Sequence, residues 1–364
     1  MRAGTALRIT GLSVLGAAGI GPGALGDRLR RTAPVAGGVG PITGADDYGP
    51  VPGETSAVPG FDITDFVPHK GTKNLDRITK LGIAATAQLK KALAGTASDS
   101  TWERTGVAIG SAAGSVRSSM ELDASVIAGP GIDLVNPVTF PNTTMNCCAS
   151  QIAIWHRMRG PNSTLANGAI SAISALQYAA RLLRCGHAER MLVGGVEELS
   201  PQTAWATRLR REVDESVFLG EGAAMFALEA GGPGAGPPLA TLSACEVLFA
   251  PERCEAGYAG ALRRAVDRAL ATSGIAAGDI DLVLPGTVGT CLWPSEAAVV
   301  ARFDADRTDV RAAVGECGGA LGAMQLAAAL LLGGDSGRTA LVTGLDVSGA
   351  VGAVVLTVGG SERC

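Results

Sequence analysis

Between residues 75 and 94 the chain reads LDRITKLGIAATAQLKKALA, and Leu75, Ile78, Leu81, Ala85, Leu89 and Leu93 fall on one face at helical spacing. A short apolar run bounded by glycine, GVAIG at 106–110, predicts a buried strand. Two later stretches, GAISAISALQYAARLL at 168–183 and GGALGAMQLAAALLL at 318–332, are small or apolar almost throughout, the pattern of helices buried on all sides. Each leads through glycine into a Val/Leu-rich strand, at 190–195 after Gly186 and at 338–344 after Gly333 and Gly334. The units before them also correspond. The helix over 75–94 and its strand at 106–110 match a helix over 258–275 and a strand at 280–286. This is an internal repeat. Helices alternating with short apolar strands predict buried sheets covered by helices, with the two halves packed around a central helical layer. Residues 32–60, rich in Gly and Pro, are expected to form a surface excursion, and GGPGAGPP at 231–238 divides a first half, 1–230, from a second, 239–364.

The length of 364 residues suits two halves of one large fold. With 47% hydrophobic and 18% charged residues the chain can build a sizeable core. Its 30 basic and 34 acidic residues give a net charge of -4, which argues against a nucleic-acid partner. No apolar run reaches the roughly 18 residues of a membrane span, and the first residues are too weakly hydrophobic for a secretory signal. A soluble, cytoplasmic protein is therefore expected. The 8 cysteines include no CxxC pair, and adjacent Cys147 and Cys148 suit a disulfide poorly, so free thiols are expected. The 3 histidines, His69, His156 and His187, leave little for metal binding or His-based catalysis. No phosphate loop, dinucleotide fingerprint or metal-ligand spacing occurs, so neither cofactor nor metal is expected.

Several stretches, taken in order, resemble the β-ketoacyl synthase family, whose thiolase-like fold is an α/β, five-layer αβαβα arrangement of two duplicated halves. They are LDRITKLGIAA, the segment NPVTFPNTTMNCCASQIAIWHRMRGPNST at 136–164, MLVGGVEE at 191–198, FLGEGAAMFALE at 218–229 and VRAAVGECGGALGA at 310–323. The resemblance implies a cysteine nucleophile at the start of a buried helix, where the helix dipole favours thiolate. It also implies two histidines that stabilise the enolate formed on malonyl decarboxylation. Carried across residue by residue, the nucleophile position is Ala169, the first histidine Pro285 and the second Glu316, with Arg311 at the usual lysine. The glycine-rich loop that normally holds a gating phenylalanine reads Ser348-Gly349-Ala350. Alanine offers no nucleophile and proline no side-chain donor, and an ionised Glu316 would repel a malonyl carboxylate. No condensing activity is expected of this chain by itself.

A ketosynthase-like chain without its triad resembles the chain-length factor of bacterial type II polyketide synthases. That resemblance implies a heterodimer with a catalytic ketosynthase, service by an acyl carrier protein, and a tunnel for the growing acyl or polyketide chain. The resemblance also implies that the strand before the nucleophile helix, about 163–167, pairs edge to edge with its counterpart in the partner; left unpaired, that edge would invite aggregation. Chain-length factors of aromatic systems typically carry glutamine where this chain has Ala169, and the region between Pro201 and Phe218 is shorter than in many relatives. A reduced or polyene-type product is expected. Tunnel or interface positions fall on Ala113, Val116, Ser119, Met120 and Asp123 along one expected helix, and on Thr139; plain subunit packing is the competing reading. Arg208, Arg210 and Arg211 could dock an acidic carrier protein or form a solvated face. Cys317 beside Glu316 reads as a core thiol, Glu221 as a structural turn residue, and His69 and His156 as surface residues. The alternative function is a stand-alone malonyl-carrier-protein decarboxylase or acyltransferase with an unorthodox site.

Overall fold

The computed structural model describes residues 6–31, 51, 53–95, 98–128, 136–231, 238–334 and 337–359. Most of the excursion expected over 32–60 and most of the divider at 231–238 lie outside them. In the first half the main elements are β1 (Leu7–Gly16), α1 (Pro22–Arg30), α2 (Arg77–Ala92), β2 (Gly106–Gly110), α3 (Val116–Ala128), α4 (Cys147–His156), β3 (Asn162–Leu165), α5 (Ser171–Arg184), β4 (Arg190–Glu197), α6 (Pro201–Arg210) and β5 (Gly222–Ala230). The second half holds β6 (Ala240–Phe249), α7 (Glu255–Ser273), β7 (Leu282–Leu284), α8 (Trp293–Val300), β8 (Asp306–Arg307), α9 (Leu321–Gly333), β9 (Thr339–Leu345) and β10 (Ala350–Val358).

The repeat read from the sequence is a repeat in space. The main path of the sheet runs β8-β7-β9-β10-β6-β1-β5-β4-β2-β3, so each half has the same order counted outward from β1 or β6. In both halves the outer three strands are parallel and the next two run antiparallel. The halves join where β1 pairs antiparallel with β6, Leu7 opposite Leu242 and Ile9 opposite Ala240.

Large cores follow from the side-chain pattern. The central one gathers α5 and α9 between strands of both halves, with Ile173, Leu176, Met324 and Leu326 buried beside Val193, Phe226, Val342 and Val354. Their Ala- and Gly-rich faces let them pack between two sheet faces, and the buried Gln325 of α9 is satisfied by donating to Leu284 O and Thr343 O. A second core puts α2 and α4 on the outer face of the first half; another puts α7 and α8 on the outer face of the second. The layers are therefore helix, sheet, helix, sheet, helix, the thiolase-like arrangement. Helix α2 starts where Asp76 accepts from Thr79 N, and α6 where Ser200 accepts from Thr203 N ahead of Pro201.

Among the described residues, strand β3 ends the sheet path, bonded on one side only, to β2. Helix α4 packs against β3, and α3, α4 and the 3-10 helix Pro137–Thr143 leave large apolar side chains in solvent, among them Ile127 (85% exposed), Phe140 (59%) and Ile154 (69%).

Candidate functional site

The two inner helices are entered alike. Each follows a turn of 3-10 helix, Gly168–Ile170 before α5 and Gly318–Ala320 before α9. The first glycine of each turn is left-handed, with φ 57° at Gly168 and 49° at Gly318, a conformation that an L side chain resists. A cavity of about 200 Å³ is lined from both halves, with Ala169 and Gly168 on one side and Glu316, Cys317 and Gly318 on the other.

Carboxylates crowd this cavity. Asp346, just beyond β9, accepts from Ala169 N–H at 2.9 Å and from Ser348 N–H at 2.9 Å. Glu316 accepts from Gly318 N–H at 2.8 Å and forms an ion pair with Arg311. Arg311 is 4% exposed and also donates to Gly286 O, so its guanidinium ties the 285–287 turn to Glu316. Glu197, at the end of β4, accepts from Ala112 N–H (2.7 Å), Gly319 N–H (3.0 Å) and Ser111 Oγ (3.2 Å). Its neighbour Glu198 accepts from Ser115 Oγ at 2.8 Å and Ile78 N–H at 3.1 Å. Cys317 is 1% exposed, and burial pushes its thiol up to about 12, the opposite of an activated nucleophile.

Of the three positions where the motifs would carry catalytic groups, Ala169 and Glu316 line the cavity. Pro285 is buried at the end of β7 and does not line it; Thr287 does. The turn at Gly286 and Thr287 is held by the buried Glu296, which accepts from Gly286 N–H at 3.1 Å, Thr287 N–H at 2.7 Å and Thr343 Oγ1 at 2.6 Å.

Residues 9–230 match the family model described as "Beta-ketoacyl synthase, N-terminal domain". The chain belongs to the β-ketoacyl synthase family. It is 31% identical over 140 residues to the 3-oxoacyl-[acyl-carrier-protein] synthase 2 of Vibrio harveyi, a match covering 38% of this chain and 34% of that relative. A similar match, 29% over 143 residues, joins it to the enzyme of the same name from Vibrio cholerae serotype O1, with 39% of this chain and 34% of the relative covered. The matches thus span about a third of those relatives' length. Among solved structures, the ishigamide ketosynthase/chain length factor superposes with a TM-score of 0.83 at 29% identity, over 98% of this chain and 100% of that one. A β-ketoacyl synthase from Burkholderia phymatum STM815 gives 0.83 at 19% identity, covering 97% and 99%, and shares the fold.

Within that family frame the remaining expected positions separate. Ala113 and Val116 line the cavity, but Ala113 is not on the helix with the others: α3 begins at Val116, and Ala113 sits in the preceding loop. Ser119 is half-buried on α3, whereas Met120 and Asp123 on α3 and Thr139 on the 3-10 helix are exposed. Arg208 donates to Asp214 O (2.9 Å) and Val217 O (2.6 Å), which fixes the loop after α6; Arg210 lines the cavity, and Arg211 ends α6 in a left-handed conformation. His69 is exposed, as expected. His156 is half-buried, where full exposure was expected. Its ring lies against α2, hydrogen-bonded at 3.1 Å to Ile83 O, and burial brings it down to about 4. Glu221 is fully buried, as a structural residue would be. Among the described residues no group of three or more His, Cys, Asp or Glu could hold a metal, and no helix is long and apolar enough to cross a membrane.

The sequence reading missed Asp346, Glu197 and Glu296. The repeat itself held a signal: Val193-Gly194-Gly195-Val196-Glu197 and Val342-Thr343-Gly344-Leu345-Asp346 align as strand ends that each finish on an acid.

Burial pushes Glu197 and Glu198 up to about 7 from the ordinary 4.5; the Glu198 charge adds to the rise at Glu197, and the charges of Asp76 and Glu221 add to that at Glu198. The fold therefore holds these protons more tightly than the unfolded chain does. The stability that these two protons contribute is fully present below about 4.5 and is lost as pH rises from there through 7, at up to about 1.4 kcal/mol per pH unit for each group. Urea unfolding between pH 5 and 8 should show this loss. In Glu197→Gln, which keeps the acceptor for Ala112 and Gly319, the slope should flatten by about one proton; an unchanged slope would contradict the assignment.

Proposed function

We propose that this chain is the non-condensing, chain-length-factor-like subunit of a heterodimeric type II polyketide synthase. It pairs with a catalytic ketosynthase and walls the tunnel along which a carrier-protein-bound chain, of reduced or polyene type, grows. The observation that carries the reading is the occupied cavity. Where the family motifs would place a thiol, this chain has Ala169 with its amide already bonded to Asp346; where they would place the second histidine, it has Glu316 locked to Arg311. The one-sided edge of β3 and the large apolar residues exposed on α3, α4 and the 3-10 helix Pro137–Thr143 support a partner for the first half. Likeness to the ishigamide ketosynthase/chain length factor supports the same pairing. Ala113, Val116, Ser119, Met120, Asp123 and Thr139 are the proposed tunnel and interface positions, and Arg210 with Arg211 the carrier-protein contact.

The alternative, a stand-alone decarboxylase or acyltransferase, needs a nucleophile or a donor for the thioester oxygen, and the buried thiol of Cys317 is a poor one. Incubated alone with malonyl-carrier protein, the chain is expected to release carbon dioxide no faster than the carrier protein does unaided. Saturable decarboxylation by the isolated chain would overturn the reading.

A further inference from the structure

The two repeats exchange carboxylates across the cavity. Glu197 ends β4 in the first half and takes the Gly319 amide that opens α9 in the second. Asp346 follows β9, the counterpart of β4, and takes the Ala169 amide that opens α5 in the first, 177 residues away in sequence. The left-handed glycine ahead of each amide makes room for the acid: a Cβ on Gly168 would collide with the Asp346 carboxylate, and one on Gly318 would press on the Glu197 side chain at 3.2 Å. The two sites are thus occupied by the same device under the fold's internal symmetry.

We infer that Asp346 is a resident blocking residue, a built-in carboxylate that occupies the amide at position 169 and keeps this site closed to acyl groups whether or not residue 169 could react. An acyl-transfer site needs free N–H groups aimed at a developing oxyanion. Here Oδ2 of Asp346 lies 2.9 Å from Ala169 N, while Oδ1 is held by Ser348 N–H, so the carboxylate is fixed at both oxygens. A negative charge in that place would also oppose formation of a thiolate at residue 169, cancelling the help a helix N-terminus gives. Loss of the nucleophile and blocking of its amide are then two separate barriers. Restoring one leaves the other.

This inference concerns the cavity of the proposed function but is read on the full chain alone, so failure to find a partner does not touch it. The test compares Ala169→Cys with the double variants Ala169→Cys/Asp346→Asn and Ala169→Cys/Asp346→Ala. Alkylation at position 169 by iodoacetamide is followed by peptide mass mapping from pH 6 to 10, with the exposed Cys185 as internal reference and thermal melts as the check on folding. In the single variant the introduced thiol is expected to titrate above the ordinary thiol range. Removing the charge, with Asn as the near-isosteric form, should lower its apparent pKa and speed labelling at pH 7 at least tenfold, with Cys185 unchanged. Equal rates and equal pH profiles in single and double variants would overturn the inference, as would no labelling at position 169 in any of them.

Discussion

Alanine at Glu221 is expected to lower the free energy of unfolding by about 3–5 kcal/mol, the range seen when one partner of a buried ion pair is removed. Glu221 is fully buried and is the acceptor for four donors from three separate segments. Arg77 of α2 binds it with Nε, at 2.7 Å, and Nη2; Val58 N–H reaches it at 2.8 Å and Leu199 N–H at 3.1 Å. Truncation leaves the Arg77 guanidinium, itself only 26% exposed, without its counterion, and two amides without partners. Leu199 also lines the cavity, so the loss should loosen the cavity wall as well as the fold. Glu221→Gln keeps a carbonyl acceptor and should cost less. Urea unfolding of the two variants checks this, and an alanine variant within about 1 kcal/mol of the parent would show that the network is dispensable.

Histidine at Glu316, the residue where the motif resemblance puts a family histidine, is expected to destabilise the protein. Arg311 is almost wholly buried, and burial already pulls its guanidinium below its usual value. Glu316 supplies its charge partner and caps Gly318. Histidine offers no negative charge, so Glu316→His should cost about 3–5 kcal/mol by leaving a buried cation unpaired. The pair Arg311→Met/Glu316→Leu, which removes both charges, should sit much closer to the parent, because the net worth of a buried ion pair against apolar residues of similar size is small. A double-mutant cycle by thermal or urea unfolding measures the difference. A Glu316→His variant as stable as the parent would mean that Arg311 finds another partner.

Much of the fold could be read from the chain because its repeat is written in local patterns. The helical stripe at 75–94, the almost wholly apolar stretch at 318–332 and the short strands all appear where their periodicity puts them. Ala169, Pro285 and Glu316 stand out in the chain for the same reason, since each sits in a stretch that resembles a family motif; the structure puts Ala169 and Glu316 on the cavity and Pro285 off it. What escaped the reading depends on approach through space. Asp346 and Ala169 meet only because β9 and α5 from opposite halves converge on one cavity. Glu296 is a single acid on α8 until the turn at Gly286 folds over it. Helical spacing could carry Ala113 onto the helix with Val116 because three residues of loop do not disturb the count. His156 looks like a surface residue beside Arg157, yet the docking of α4 on α2 presses its ring against Ile83 O.

On the proposed function the chain works as half of a pair. The most direct measurement is co-expression with a candidate active ketosynthase, followed by native mass determination and an elongation assay with malonyl-carrier protein. A one-to-one complex that elongates only when both chains are present is the predicted result. A stable homodimer of this chain that decarboxylates malonyl-carrier protein without help would contradict it.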